Sequence, residues 1–597
     1  MKSYKEQNMN LKMLLLLLVI FLISGCTPPK KQPLITLDTK GHTAHINHII
    51  VTKSKDIISA STDKSIRVWD SSTGKEKRRI LGQIGSGYRG MIFTIALSPN
   101  EEFLAVGGYM KGIRIYNYKT GKIFKILKSH SRKVNDLAFS PDGKYLISGS
   151  DDKTAKIWSV KDFSLLDTIK FHKKRIEAVR IIKKDSNYFA VTAGNDKKIA
   201  LYDMQKKKNV KSDTLNHRVM SLATSKKHIA VCGHYDQNID IYSYKLEHIK
   251  TIISKNSPAN VAYSPNKKLL IVGNNAYPTN INIYDVNQNY KKIQSFQSDG
   301  GIMMGVGFLN NQTAISAGGD KYKIYIWDIK TAKVLKQIEG EGDVVYSVGV
   351  KGDTIALGHS DCRSANCQRL QKAINLKTFQ MQNLKDKKFN KISTTYKNYS
   401  LTRREKKQAL LDIKKDGKIV TSINRTLSYG FWHSCYGFYK NYIISGGADG
   451  LLEIYNLKGK RVAKLMGHTK DILSIAVDKD RLVSGSDDQT VRIWDLSKMK
   501  TFMKPQLTLF ISRDNNWVTW TPEGFYHASK GGEKYIGFHI NRGAEYEAEF
   551  VDIGTLNKQL HRPDIISKVL SGEILSLKEK KIINQVLKIK SNLESFK

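Results

Sequence analysis

The stretch from Gly467 to Asp495 decides the fold. It runs Ile472-Leu473-Ser474-Ile475-Ala476-Val477, a turn at Asp478-Lys479-Asp480, Leu482-Val483-Ser484-Gly485-Ser486, a turn at Asp487-Asp488, then Thr490-Val491-Arg492-Ile493-Trp494. Short runs with period-two alternation, broken by turn residues, predict antiparallel strands about six residues long. Working outward, the closing tripeptide of branched aliphatic residue (β-branched in all but one unit), aromatic and Asp, Asn or Ser recurs. It appears at Val68-Trp69-Asp70, Ile115-Tyr116-Asn117, Ile157-Trp158-Ser159, Leu201-Tyr202-Asp203, Ile241-Tyr242-Ser243, Ile283-Tyr284-Asp285, Ile326-Trp327-Asp328 and Ile454-Tyr455-Asn456. The first seven aromatics are spaced by 47, 42, 44, 40, 42 and 43 residues. The gap of 128 from Trp327 to Tyr455 holds two degenerate units of the same period, one marked by Ala373-Ile374-Asn375-Leu376, the other inferred between Phe389 and Ser422. A period near 42 is the mark of a repeat architecture in which each unit buries its faces only against its neighbours.

This pattern resembles WD40 repeats over residues 35 to about 500. The resemblance implies an all-β, WD40-type β-propeller, and eleven or twelve blades exceed one ring of four to eight, so two rings are expected. The expected division is residues 35–330 for a first propeller of about seven blades and 331–528 for a second, degenerate set. In the family, a His, a Ser or Thr, an Asp and a Trp form a hydrogen-bonded chain in each repeat. The matching sets here are His42, Ser59, Asp63 and Trp69; His130, Ser148, Asp152 and Trp158; and His468, Ser484, Asp488 and Trp494, with Asp six and Ser ten residues before each Trp. A buried indole N–H needs an acceptor, and a hydroxyl relayed through imidazole to carboxylate supplies one. The same letters spell a hydrolase triad, but catalysis needs one constellation and these recur, so the expectation is structural and the protein is expected not to be an enzyme. No cofactor is implied.

The 597 residues carry 98 Lys and Arg against 54 Asp and Glu, a formal charge of +44. The excess is mostly scattered Lys with runs such as Lys206-Lys207-Lys208, which reads as a solvated surface; for an exported chain, anionic lipid or acidic polysaccharide is a more accessible counterpart than nucleic acid. Five cysteines are too few for a disulfide scaffold. Cys232 holds the Ser position of its repeat and Cys435 lies in an aromatic strand, so both are expected in the core. Cys362 and Cys367 flank an enlarged turn and are a candidate disulfide in an oxidising compartment. His359 and Asp361 stand beside them, but His234 and Asp236 repeat that spacing without cysteines, which favours a turn over a metal site.

At the N-terminus, basic residues precede Met13 to Ile23, an apolar run too short to span a membrane and suited to an export signal. Ile23-Ser24-Gly25-Cys26 resembles the lipobox of bacterial lipoproteins. That resemblance implies removal of residues 1–25, lipidation of Cys26 with acyl chains such as palmitate, a tether over 26–34, and placement in the bacterial cell envelope, on the periplasmic face of the outer membrane where two membranes exist. Loss of residues 1–25 leaves a charge of +42. Beyond residue 500, Leu507–Ile511 and Trp517–Trp520 are strand signals that suit a further blade. The run Thr521-Pro522-Glu523-Gly524, Gly531-Gly532-Glu533-Lys534 and Asn541-Arg542-Gly543 resembles the linker of bacterial WD40 proteins that carry a caspase-like peptidase, and no Cys follows Cys435 to serve as that nucleophile. Residues 529–597 are therefore expected to hold the linker-like segment and a C-terminal helix, with Pro563 in its first turn and Ile582, Val586, Ile589 and Leu593 on one face. Rigid blades without a catalytic constellation point to recognition: a lipid-anchored scaffold or sensor that binds protein partners on its rims. A regulatory partner or truncated relative of a caspase-like peptidase, and a module for anionic polysaccharide or lipid head groups, are the alternatives.

Overall fold

The computed structural model describes residues 34–577 together with 579 and 582, except the segments 84–89, 111, 129, 235–236, 255, 276–279, 299–302, 320, 361–368, 383, 385–387, 406–408, 426–431, 448–449 and 544–545. Cys26, Cys362, Cys367 and most of the C-terminal apolar face, Val586, Ile589 and Leu593, lie outside the described residues.

Seven four-stranded antiparallel sheets follow one another over 46–81, 92–127, 134–169, 176–214, 218–253, 258–297 and 305–338. Each is a meander in sequence order, the arrangement that tight turns between short strands dictate. The apolar positions of each sheet pack on the next sheet. The seventh returns to the first through Ile46, Ile49, Ile57 and Trp69 against Ile315, Ile324, Ile326 and Ile338. That contact closes a seven-bladed ring. Its seventh blade ends with the strand Val334–Ile338, past residue 330, because the fourth strand of every unit follows its aromatic tripeptide. The recurring Ser-Gly-Ser of the second strand has a packing cause. A Cβ on Gly149 would meet Ile176 and Val179 of the next blade at 2.9 Å, and one on Gly485 would meet Val345 at 2.6 Å.

The next four sheets are unequal. They comprise 347–382, 395–424, a five-stranded sheet of 433–466 joined by Phe502–Met503 in parallel, and a six-stranded sheet over 472–528. The strands Leu507–Ile511 and Trp517–Trp520 extend that last sheet instead of founding a twelfth blade. Val345, Val348 and Ile355 of the eighth blade pack on Ala476, Val483 and Ile493 of the eleventh, so the spatial order is ninth, tenth, eleventh, eighth. Among the described residues, the eighth and ninth blades share no apolar cluster, and an isolated bridge joins Val350 of the eighth blade to Asn390 in the segment that leads to the ninth.

The two ends of the described chain meet. Leu34–Leu37 pairs antiparallel with Ile536–Ile540, which pairs in turn with Glu549–Asp552, and Ala548 N–H donates to the Leu81 carbonyl at 3.1 Å. The linker-like segment is thus built into the body of the protein. Pro563–Leu570 forms a helix with Pro in its first turn, burying Ile565 and Ile566 against the eleventh sheet and the terminal strands. No helix among the described residues is long and apolar enough to cross a membrane.

Candidate functional site

The three sets of His, Ser, Asp and Trp are each brought together in one geometry. In the first blade, the Trp69 indole donates to Ser59 Oγ at 2.8 Å, the Ser59 hydroxyl meets His42 Nε2 at 2.7 Å, and His42 Nδ1 meets Asp63 Oδ2 at 2.8 Å. In the third blade the corresponding distances are 3.1, 2.8 and 2.8 Å for Trp158, Ser148, His130 and Asp152. In the eleventh they are 2.9, 2.9 and 3.0 Å for Trp494, Ser484, His468 and Asp488. Proton accounting fixes the direction of each chain: indole N–H to serine oxygen, serine O–H to imidazole nitrogen, imidazole N–H to carboxylate.

The carboxylate also organises the turn. Asp63 accepts from the backbone N–H of Thr43 at 3.1 Å and of Ser65 at 2.8 Å, and Asp152 and Asp488 accept from the equivalent groups. Such an Asx turn places the residue after each Asp in the left-handed region, with φ of +73° at Lys64, +70° at Lys153 and +67° at Gln489. Burial opposes ionisation of Asp63, but the hydrogen bond from His42, the charge of Arg67 and the hydrogen bond from Ser65 outweigh it and hold the carboxyl well below its usual range. The same balance holds for Asp488 with His468, Arg492 and Thr490.

A fourth set escapes a search for Ser and Trp. His172 Nδ1 meets Asp196 at 2.9 Å and its Nε2 meets Thr192 Oγ1 at 3.0 Å. Asp196 and Thr192 keep the six- and ten-residue spacing from Tyr202, so the signal was present. The tyrosine has no indole, and its hydroxyl donates to Asp167 on the last strand of the neighbouring third blade at 2.5 Å. Two further histidines depart from the scheme. His217 meets Asp240 of the third strand at 3.0 Å, and His433 pairs with Ser445 at 2.6 Å beside Arg425 instead of a carboxylate.

None of these sets is open to a substrate. Ser59, Ser148 and Ser484 are each 0% exposed, and every hydroxyl is already engaged by indole and imidazole. Cys232 and Cys435 are buried, and burial pushes both thiols up to about 12, which leaves them protonated at neutral pH. Among the described residues no group of His, Cys, Asp and Glu could hold a metal. What the molecule does present is an outer girdle. The last strand of successive blades exposes apolar side chains beside lysines: Phe124 next to Lys125, Ile249 next to Lys250, Leu335 next to Lys336.

Residues 31–70 and 459–495 match the family described as "WD domain, G-beta repeat". This is a WD40-repeat β-propeller protein. Residues 91–368 match the family described as "IFT122 first beta-propeller". Among curated proteins, the WD40 chain is 30% identical over 140 residues to the serine-threonine kinase receptor-associated protein of Gallus gallus, covering 23% of this chain and 39% of that one. It is 34% identical over 87 residues to eukaryotic translation initiation factor 3 subunit I of Aspergillus niger, covering 14% and 24%. The chain therefore spans less than half the length of these relatives. Among solved structures, one titled "Structure of U3-55K" is similar over 48% of this chain and 92% of that one, with 18% identity and a TM-score of 0.43. The WD40 fold is a scaffold for protein–protein interaction, and function on such a scaffold resides in its rims and exposed strands.

Proposed function

We propose that this WD40 protein is a non-catalytic scaffold or sensor, anchored through lipid on Cys26 in a cell envelope, that recognises protein partners with its rims and outer strands. The observation that carries the non-catalytic reading is the sealing of every Ser–His–Asp set. A nucleophile must touch its substrate, and these hydroxyls touch only indole and imidazole. The girdle supports recognition of protein. Edge strands with unpaired backbone groups and exposed apolar side chains are sites where another chain can add, and the lysines between them select against indiscriminate pairing. The anchor rests on the sequence Ile23-Ser24-Gly25-Cys26.

The experiment is cross-linked affinity purification from membranes, beside a Cys26→Ala variant, read by mass spectrometry. A discrete protein partner with the wild type, lost together with membrane association in Cys26→Ala, is the expected outcome. A wild-type chain that carries no label after growth with radioactive palmitate overturns the anchor. An esterase or peptidase activity of the purified chain that disappears in a folded Ser484→Ala variant overturns the non-catalytic reading.

A further inference from the structure

The outer strand of a blade is the one with least to bury, and in the first ring it is fastened by a single apolar side chain at a fixed register. Ile80, Leu127, Ile169, Ile252, Phe296 and Ile338 hold that place in six of the seven blades, and all are buried. The fourth blade breaks the rule. At the same register, opposite Ile199, stands Asp213, which accepts from the hydroxyl of Tyr242 of the fifth blade at 2.9 Å. The strand Lys208–Thr214 is therefore held by its ladder to Lys198–Asp203 and by this hydrogen bond. Among the described outer strands of that ring it alone buries no residue.

It is also the last strand of its sheet, so the backbone N–H and C=O groups of its outward edge pair with no other strand. Its charge is one-sided. Residues 206–214 read Lys-Lys-Lys-Asn-Val-Lys-Ser-Asp-Thr, four cations against one carboxylate, an excess of three. Lys206 lies 3.9 Å from Asp203, but among the described residues Lys207, Lys208 and Lys211 have no ion pair. The register sets Lys208 and Lys211 on the same face as Asp213, opposite Asp203, Leu201 and Ile199. Between the two lysines the strand bulges at Val210, which is 42% exposed.

We propose that Lys208–Thr214 is a docking strand, to which an acidic, extended segment of a partner protein adds as the fifth strand of the fourth blade. The inference rests on the reading of the chain as a protein-binding scaffold, and it names the strand and the chemistry of the segment. An added strand gives the open edge the backbone partners it lacks. Carboxylates at alternate positions of that strand lie against Lys208 and Lys211, and an apolar side chain covers Val210. A second copy of this strip would bring the same excess of three positive charges, so the segment that fits is not this chain's own. Lipid head groups can meet the lysines but cannot pair the alternating backbone groups, which favours a peptide.

The test is fluorescence anisotropy of the full chain with a short labelled peptide that alternates glutamate and valine. Saturable binding is expected. The double variant Lys208→Glu, Lys211→Glu should lose tenfold or more, and a probe methylated on every second backbone nitrogen, in either phase, should not bind. Both lysines are exposed, so the variant should keep the wild-type Tm. Amide exchange in the complex should slow over 206–214 and nowhere else in the first ring. No saturable binding by the wild type overturns the proposal, as does equal binding by the variant or by the methylated probes. Phosphatidylglycerol vesicles are the competing arm: vesicle binding that the variant loses, with no peptide binding, makes the strip a lipid contact and also overturns it. The scaffold reading and this one fail separately. In the cross-linked purification, a partner captured equally by wild type and variant removes the docking strand and leaves the scaffold; peptide binding without any captured partner removes the scaffold and leaves the strand.

Discussion

The first ring and the second blade set are built from the same repeat and reach different ends. Seven units at nearly constant spacing give seven equal sheets, and the last packs on the first through a continuous isoleucine interface. In the second set the spacing breaks down after Trp327. There the sheets have four, four, five and six strands, extra strands from 502–528 widen the last two, and the eighth blade docks on the eleventh. Equal blades can close a ring because each presents the same face at the same angle. Unequal blades must fill the mismatch with added strands, and here also with the helix Pro563–Leu570. The conserved geometry of the eleventh-blade histidine set shows that the mismatch is not a failure of the individual repeat. It lies in how repeats meet.

The largest expected effect separates closure from simple stacking. Ile324 is buried at the interface of the first and seventh blades, and Leu411 is buried between the ninth and tenth. Either change to Ala should cost about 2–5 kcal/mol, the range for deleting a buried branched side chain. Hydrogen exchange should distinguish them: Ile324→Ala loses protection throughout 46–338, since opening one interface opens the ring, whereas Leu411→Ala loses it locally in 395–466. Equal spread in both variants would break the comparison.

A smaller effect sharpens it within single blades. Trp494→Phe leaves Ser484 without its donor and should cost about 1–3 kcal/mol. Trp327 has the same place in the seventh blade, but Ala317 stands ten residues before it, its indole N–H is buried without a partner, and its ring stacks on Phe296 at 4.9 Å. Trp327→Phe keeps the stacking and removes the unsatisfied donor, so urea unfolding should show it at or near wild-type stability.

These contrasts also show what a sequence makes legible. The Trp sets could be read because their residues lie at fixed short spacings, and the blade count followed from the period. The His172 set was legible in spacing and hidden by residue type. The pairing of Leu34–Leu37 with Ile536–Ile540 leaves no local trace, because the partners are hundreds of residues apart and only ring closure brings them together. The strands 507–520 carried a clear strand signal, yet period-two alternation does not say which sheet a strand joins.

The last contrast is between histidines that have a carboxylate and one that does not. His433 is fully buried in the tenth blade; Ser445 bonds its Nδ1, and its Nε2–H donates to the carbonyls of Ala409 at 3.1 Å and Ile423 at 3.3 Å. Burial, reinforced by the charge of Arg425, pushes it down to about 4. An unfolded histidine titrates near 6.5. Between those values the unfolded chain binds the extra proton, so the contribution of neutral His433 is complete above about pH 6.5 and is lost as the pH falls toward 4, at up to about 1.4 kcal/mol per pH unit. Asp63 and Asp488, whose folded values are depressed, contribute fully above about pH 4 and are lost only below it. Acid should therefore weaken the second blade set through its buried neutral imidazoles, His433 and also His468, which burial lowers despite the pull of Asp488, before it protonates Asp63 or Asp488. In unfolding followed from pH 7 to 4, His433→Gln should remove up to one proton from the slope, while His468→Gln should leave the slope contributed by His433 in place. A slope unchanged by His433→Gln would mean that the buried imidazole and Arg425 share the site without mutual cost, and the distinction between the two kinds of histidine would fall.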